Sequence, residues 1–245
     1  MEKKSSLTEE QKAQIKDLWK KFKRKTKLKD QKEIDELLSN WKIYRKKITD
    51  GTLTLDDYTN TMENAKDRMP GAYLCNFLEQ TTNNVLGFSK VTNAKDFEVK
   101  LNQDNQTYYI KKENKENASR EEAEEYFNEN IKGLLESIVS ETNPFKKIQT
   151  IEKSNYSAKH ILMKLAILDN VSDFVHIYHR EHIDELYNEF FDDNSNESIY
   201  EKNYQVCAVA KDILEVNEQD KDELILLSYF LLDYISSKDN ADVNS

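Results

Sequence analysis

The sequence is poor in residues that break helices. Only 4 glycines and 2 prolines occur among 245 residues, so sharp turns are scarce and long helices are favoured. Hydrophobic residues make up 38% of the chain, which includes 13 tyrosines and 10 phenylalanines. These apolar residues recur with helical and strand periods, which excludes a disordered chain. We therefore predict a mostly helical soluble protein.

Cysteines and long apolar runs are also scarce. Cys75 and Cys207 lie far apart, and neither belongs to a CxxC or CxxH pattern, so neither a zinc site nor a disulfide framework is expected. The most apolar run, residues 224–232, is far shorter than the roughly 20 residues of a membrane span. Residues 1–4 lead into polar sequence and not into a signal peptide. We expect a cytoplasmic protein that does not contact a membrane.

The motifs of common enzymes are missing. None of the four glycines begins a GxxxxGK or GxGxxG loop, and the sequence has no GxSxG motif. Glu98-Val99-Lys100 matches the E-x-K half of a PD-(D/E)xK nuclease core, but residues 86–95 supply no acidic residue for the preceding strand. We interpret Glu98 and Lys100 as charged residues on the exposed face of a hairpin. No catalytic residue and no cofactor is predicted.

Three of the four histidines are close together in the sequence. His176, His179 and His182 have Glu181 and Asp184 beside them, which is the only candidate metal-binding cluster. Because the sharper HExxH pattern is absent, we interpret this segment as a polar strand-to-helix junction. A small metal-dependent hydrolase that uses the cluster is the weakest of three functional alternatives.

Two regions with different hydrophobic patterns follow one another along the chain. Residues 1–70 show three amphipathic helices, the first opened by a capping box at Thr8 and the third opened by Thr54. Residues 71–245 mix strand and helix patterns and end in two helices near 198–214 and 221–236. We predict a helical unit over 1–70 and a mixed domain over 71–245.

One β-hairpin is predicted in the second region. Phe97, Val99 and Leu101 alternate with charged residues, and residues 107–110 favour strand. A lone hairpin is marginal in water, so it packs on helices or joins another strand, for which 174–178 is the candidate. Residues 111–118 are interpreted as a polar link, and Ser119 opens another helix. The fold class is α+β, predominantly α-helical with one small antiparallel hairpin or sheet.

The positive charge is concentrated near the start of the chain. Residues 1–50 contain 16 basic and 9 acidic residues, a local charge of +7, whereas the remainder carries −17. The densest basic run is Lys20, Lys21, Lys23, Arg24 and Lys25. Such a run binds phosphate in some proteins and is the solvated face of a helix in others, and the sequence leaves both interpretations open.

Aromatic residues alternate with lysines around the predicted hairpin. Interleaving of this kind suits stacking on bases and neutralisation of phosphates, although it is also typical of a core edged by lysines. The aromatic residues are Tyr73, Phe77, Phe88, Phe97, Tyr108 and Tyr109, and the lysines are Lys90, Lys95, Lys100, Lys111 and Lys112.

Two stretches resemble a known family. The first comprises Ala72–Thr82 (AYLCNFLEQTT), Leu86–Lys90 (LGFSK) and Asn93–Lys100 (NAKDFEVK), and the second comprises Tyr156–Lys159 (YSAK), Leu165–Leu168 (LAIL) and Phe174–Tyr178 (FVHIY). Together they resemble the N-terminal regions of McrB-like AAA+ restriction proteins. Three positions depart from that pattern: Phe88 and Glu98 replace a frequent Ser and Gly, and Ser157 replaces a frequent Pro.

The resemblance implies a role in phage defence. In that family the N-terminal part reads DNA that often carries a modified base, an AAA+ GTPase translocates, and a McrC-like subunit cuts. We therefore expect a non-catalytic DNA-binding domain that works with an AAA+ GTPase module or a McrC-like nuclease subunit. No GTPase module follows in this sequence, so we expect that module elsewhere on a longer chain or on a separate protein.

The expected DNA contacts combine the basic run with the hairpin and the 86–95 loop. The competing hypothesis is a helical adaptor that binds a partner protein and no nucleic acid, which the acidic remainder of the chain favours. A continuous basic face supports DNA binding, whereas lysines scattered among carboxylates support the adaptor. The DNA-binding candidates are Lys20, Lys21, Lys23, Arg24, Lys25, Phe88, Ser89, Lys90, Lys95, Lys100, Tyr109 and Lys111.

Overall fold

The computed structural model describes residues 3–26, 31–59, 73–82, 86, 97–102, 106–177, 179–192 and 195–242. Most of these residues are helical, and a small antiparallel sheet accompanies the helices, which confirms the predicted α+β class. The described helices are α1 (Glu9–Lys25), α2 (Gln31–Thr49), α3 (Leu55–Tyr58), α4 (Leu74–Asn76), α5 (Arg120–Tyr126), α6 (Gly133–Ser140), α7 (Pro144–Lys153), α8 (Lys159–Asp169), α9 (Arg180–Phe191), α10 (Ile199–Leu214) and α11 (Lys221–Asp242). Two π-helical segments, Phe77–Thr81 and Phe127–Lys132, continue α4 and join α5 to α6.

The chain divides into two compact units. One unit contains residues 1–31 and 170–245, and the other contains residues 32–169. This division groups α1 with the C-terminal helices and α2 with the middle of the chain. The boundary predicted near residue 70 lies within 60–72, outside the described residues, and stays a prediction.

Side-chain caps begin several helices where the sequence indicates them. Thr8 and Gln11 form a capping box at α1, and Ser119 and Glu122 form another at α5. Each cap satisfies amide groups that the first helical turn leaves without partners, which is worth about 1 kcal/mol. Thr54 also caps α3. These starts were predictable because all the partners lie within three residues.

The sheet lies in the unit formed by residues 32–169. Its strands β1 (Val99–Leu101), β2 (Tyr108–Ile110) and β3 (Lys115–Ala118) pair antiparallel in the order β1-β2-β3. Val99 pairs with Ile110 and Leu101 with Tyr108, which confirms the hairpin. The prediction of a polar link over 111–118 was wrong, because β3 occupies its second half. Only Ala118 of β3 is buried, so this edge strand shows almost no apolar pattern.

α8 lies at the centre of the same unit. Every residue from Ile161 to Leu168 is buried, including Lys164. A helix that is buried on all sides carries apolar residues all round instead of one stripe. The Tyr58 hydroxyl donates to the Phe97 carbonyl at 2.6 Å and lies 2.8 Å from the Tyr156 hydroxyl. These bonds tie α3 to the start of the sheet and to the segment before α8.

A buried ion pair joins the ends of two helices in this unit. The Lys147 ammonium on α7 lies 2.8 Å from Asp169 at the end of α8, and both side chains are buried. Arg45 of α2 donates to the other oxygen of the same carboxylate at 2.7 Å. One buried carboxylate therefore links three helices, and its two cations offset the cost of removing it from water.

The other unit is built on α1, α9, α10 and α11. Ile15 and Trp19 of α1 are buried, whereas Leu18, predicted on the same inward face, is 44% exposed. The Trp19 ring lies 5.2 Å from the Phe230 ring between centroids. The final helices confirm the prediction that two helices end the chain.

Residues 174–177 do not form the predicted strand. The Asn203 side chain of α10 accepts from the Val175 amide at 3.0 Å and donates to the Val175 and Ile177 carbonyls at 3.0 and 2.9 Å. One amide side chain thereby supplies the bonds that a neighbouring strand supplies in a sheet. The apolar run was misinterpreted because burial in a loop and burial in a strand favour the same residue types.

None of the described helices combines the length and apolarity needed to cross a membrane.

Candidate functional site

The α1 basic segment comprises Lys20, Lys21, Lys23, Arg24 and Lys25. All five residues are exposed at the C-terminal end of the helix, where cations are favoured by the helix dipole. The Lys21 ammonium lies 2.9 Å from Asp17, and that of Lys23 lies 2.5 Å from Glu223 and 5.0 Å from the centre of the Trp19 ring. Two of the five cations therefore already contact carboxylates.

The hairpin places two further candidates on one face of the sheet. Lys100 of β1 pairs in register with Tyr109 of β2, and the Lys100 ammonium lies 5.7 Å from the centre of the Tyr109 ring. Tyr109 is only 9% exposed, so little of its ring is open for stacking. Lys111 follows β2, is half-buried, and donates its amide to the Glu98 carbonyl at 2.7 Å.

Four candidates lie outside the described residues: Phe88, Ser89, Lys90 and Lys95. Their predicted contacts with DNA stay predictions. The α1 basic segment belongs to one compact unit, and Lys100, Tyr109 and Lys111 belong to the other.

Glu98 does not lie on the exposed face of the hairpin, and that interpretation was wrong. The residue precedes β1, is 4% exposed, and has a φ of +63°. This left-handed conformation favours glycine and costs other residues of order 1–2 kcal/mol. A buried carboxylate on a strained backbone needs compensating bonds, and those bonds define the candidate site.

Three donors hold the Glu98 carboxylate. Ser157 donates its amide at 2.7 Å and its hydroxyl at 2.6 Å to Oε1, and the Tyr126 hydroxyl donates to Oε2 at 3.3 Å. Burial and the adjacent carboxylate raise the pKa of Tyr126, so its hydroxyl keeps its proton and acts as a donor. Oε1 receives two short bonds, whereas Oε2 receives a single long one.

Glu98 and Ser157 are two of the three positions that depart from the McrB-like pattern. Gly at 98 supplies no carboxylate, and Pro at 157 supplies neither an amide hydrogen nor a hydroxyl. In this chain both positions carry the groups that bond to each other. The contact also joins the two stretches that carry the resemblance, which lie 59 residues apart at this point.

Glu98 lines a cavity of about 300 Å³, hereafter the Glu98 cavity. Its inner wall contains the buried residues Tyr126, Ile131 and Tyr156. Exposed side chains form its mouth, namely Lys112, Glu129, Asn130, Lys153 and Asn155. A π-helical segment supplies part of the wall, and such segments are frequent at functional sites.

A wider groove of about 600 Å³ adjoins the Glu98 cavity and shares Lys112, Tyr126, Glu129 and Asn130 with it. Its other charged residues are Glu113, Lys115, Glu122 and Glu125. Carboxylates thus outnumber ammonium groups in this groove by two to one. The Lys115 ammonium lies 2.6 Å from Glu122 and lowers the pKa of that carboxyl. A phosphate backbone meets net repulsion here.

The histidine cluster does not converge on one point. His176 is buried, and burial lowers its pKa to about 4. The His179 and His182 rings lie 5.4 Å apart between centroids. In the described part of the chain, no group of three or more His, Cys, Asp or Glu residues is arranged to hold a metal ion. The segment before α9 is a loop, so its interpretation as a strand-to-helix junction was wrong about the strand.

Sequence reasoning missed the Glu98 cavity. The one available signal was an acidic residue between the buried positions Phe97 and Val99, which strand alternation explains without burial. Comparisons with protein-family models, curated proteins and solved structures found no match.

Proposed function

We propose that this chain is the non-catalytic DNA-reading part of a McrB-like, modification-dependent restriction system that acts in the cytoplasm against phage. The family is taken from the resemblance of the two stretches, and the supporting observation in the structure is that the five cations of the α1 basic segment are exposed together at the end of one helix. Translocation and cleavage are assigned to an AAA+ GTPase module and a McrC-like nuclease subunit.

The α1 basic segment is proposed to contact the phosphates. Its five cations lie within six residues at the C-terminal end of α1, and all five are exposed. The ion pair of Lys21 with Asp17 is solvent-exposed, so phosphate can replace that carboxylate at small cost. Glu223, the partner of Lys23, has a side chain that is only 15% exposed. Lys100 is proposed as a further phosphate contact, together with the residues near Phe88 that the resemblance indicates.

Fluorescence anisotropy with matched duplexes tests this proposal. The duplexes carry unmodified cytosine, methylated cytosine, hydroxymethylated cytosine or methylated adenine, and each is titrated at low and moderate salt. Salt-sensitive binding that prefers one modified duplex is the expected result. Absence of binding to every duplex at micromolar protein would overturn the proposal.

A helical adaptor is the second candidate, and a specific observation favours it. Lysines in both units lie against carboxylates, as Lys23 does with Glu223 and Lys115 does with Glu122. Lysines scattered among carboxylates are the arrangement expected of a protein-binding adaptor. Retention of this chain by a purified McrC-like subunit, with no binding to DNA, would establish the adaptor instead.

A further inference from the structure

We infer that the Glu98 cavity and the adjoining groove bind a segment of a partner protein through one arginine side chain. The inference goes beyond DNA reading and does not depend on it. It starts from the buried carboxylate of Glu98, which lines the inner part of a cavity open at its mouth to solvent.

The two oxygens of the Glu98 carboxylate are bonded unequally, which indicates that the cavity binds a hydrogen-bond donor. Oε1 is satisfied by two donors from Ser157, whereas Oε2 has one bond of 3.3 Å from Tyr126. An ionised carboxylate oxygen accepts two or more hydrogen bonds, so Oε2 retains capacity for a donor. Because Glu98 is only 4% exposed, a charge-assisted bond formed to its carboxylate is stronger than one at the surface.

Arginine fits this position better than lysine does. Its guanidinium is planar, offers five donors, and is more weakly hydrated than an ammonium group. The three methylene groups of its side chain match the apolar part of the wall formed by Ile131 and Leu134. A volume of about 300 Å³ accommodates one such side chain and excludes a folded element.

The charge around the mouth selects a protein segment over nucleic acid. Glu113, Glu125 and Glu129 line the groove together with Glu122, which holds Lys115. This net negative groove attracts a basic peptide and repels phosphates. Lys112 and Lys153 at the cavity mouth make the charge there mixed.

Amide chemical shifts of the full chain, titrated with N-acetyl-arginine amide, test the inference. The neutral isostere N-acetyl-citrulline amide and the ammonium analogue N-acetyl-lysine amide are the matched ligands. Saturable shifts at Ser157 and Lys112 with the arginine probe are expected, with at least tenfold weaker binding of the other two. Equal binding of the arginine and lysine probes would show a nonspecific acidic surface and would overturn the inference. The absence of saturable shifts would overturn it as well.

Two variants separate binding from folding. Glu98→Gln is expected to weaken the arginine probe at least tenfold. Glu98 is buried, so its substitution could also disturb the fold. Glu129→Lys, at the exposed mouth of the cavity, is therefore a second variant, and we expect the same loss of binding. Glu121→Lys is the matched control, since Glu121 is exposed on α5 and lies outside both cavity walls. Equal loss in Glu129→Lys and Glu121→Lys contradicts a defined site.

Discussion

At the end of α1 five cations are exposed to solvent and two of them contact single carboxylates, whereas at the Glu98 cavity one carboxylate is buried and receives three hydrogen bonds. Exposed pairs such as Lys21 with Asp17 exchange partners at little cost. A buried group loses its partners only with a large penalty. The exposed segment is therefore suited to binding any polyanion, and the buried carboxylate to binding one shape of cation.

The buried ion pair in residues 32–169 provides the largest expected effect. Lys147→Ala leaves the Asp169 carboxylate buried with Arg45 as its remaining cation. We expect a loss of about 3 kcal/mol in the free energy of unfolding, because an incompletely compensated buried charge is strongly destabilising. Urea denaturation measures it. Lys146→Ala, one residue away and exposed, is the control and is expected to change stability by less than about 0.5 kcal/mol.

Lys164 provides the next largest effect and makes stability depend on pH. Burial lowers the pKa of its ammonium group from 10.5 to about 8. Between these values the unfolded chain binds more protons than the folded chain, so the free energy of unfolding contributed by Lys164 rises with pH from about 8 to about 10.5. Below pH 8 Lys164 is protonated in both the folded and the unfolded chain, so the destabilisation caused by burying its charged ammonium group stays at its full size.

Lys164→Met removes this penalty. We expect the variant to be more stable at neutral pH by roughly 3 kcal/mol, an order-of-magnitude value from the size of the pKa change. The difference between wild type and variant is expected to shrink as the pH approaches 10.5. A difference that is constant across this range, measured by urea denaturation at each pH, would contradict the account of Lys164.

Glu98 tests whether backbone strain and hydrogen bonds act together. Glu98→Ala removes the acceptor of Ser157 and Tyr126 and keeps a strained φ, so we expect a loss of about 2 kcal/mol. Glu98→Gly loses the same bonds but tolerates the left-handed conformation, so its loss is expected to be about 1 kcal/mol smaller. Thermal or urea denaturation of both variants measures the difference. Equal stability of the two variants would show that the strain is absent.

The smallest effect is expected in the α1 basic segment. Lys21→Ala removes an exposed pair with Asp17, and exposed pairs contribute little to stability. The same change in Lys21 is expected to weaken DNA binding measurably at low salt. A loss of stability as large as that of Lys147→Ala would contradict the comparison between exposed and buried charges.

The parts of the fold that depend on neighbouring residues were predictable. Capping boxes at Thr8 and Ser119 involve partners three residues away, and the hairpin follows from alternation within a dozen residues. Strand β3 escaped prediction because its residues are polar and its partner is supplied by β2. The loop over 174–177 escaped because the bonds that satisfy its backbone come from Asn203 on another helix.

The α1 basic segment was predictable from the sequence, whereas the Glu98 cavity was not. A run of basic residues on a helix is visible in the sequence as exposed charge. Glu98 looked like the polar half of a strand, because the residue that makes its burial possible, Ser157, lies 59 positions later. Burial of Lys164 is hidden for the same reason. Charged side chains enter a core when distant segments provide partners, and local periodicity carries no information about those partners.

The most direct test of the claim that the α1 basic segment binds DNA, and the Glu98 cavity does not, is a salt-dependent DNA titration of three proteins. These are the wild type, the variant Lys20→Gln/Arg24→Gln/Lys25→Gln, and the control Lys112→Gln/Lys153→Gln at the Glu98 cavity. We expect the first variant to bind at least tenfold more weakly and to lose about two to three units of the salt slope, while the control binds like the wild type. Equal weakening of the two variants, or no binding by the wild type, would contradict the claim that the α1 basic segment holds DNA.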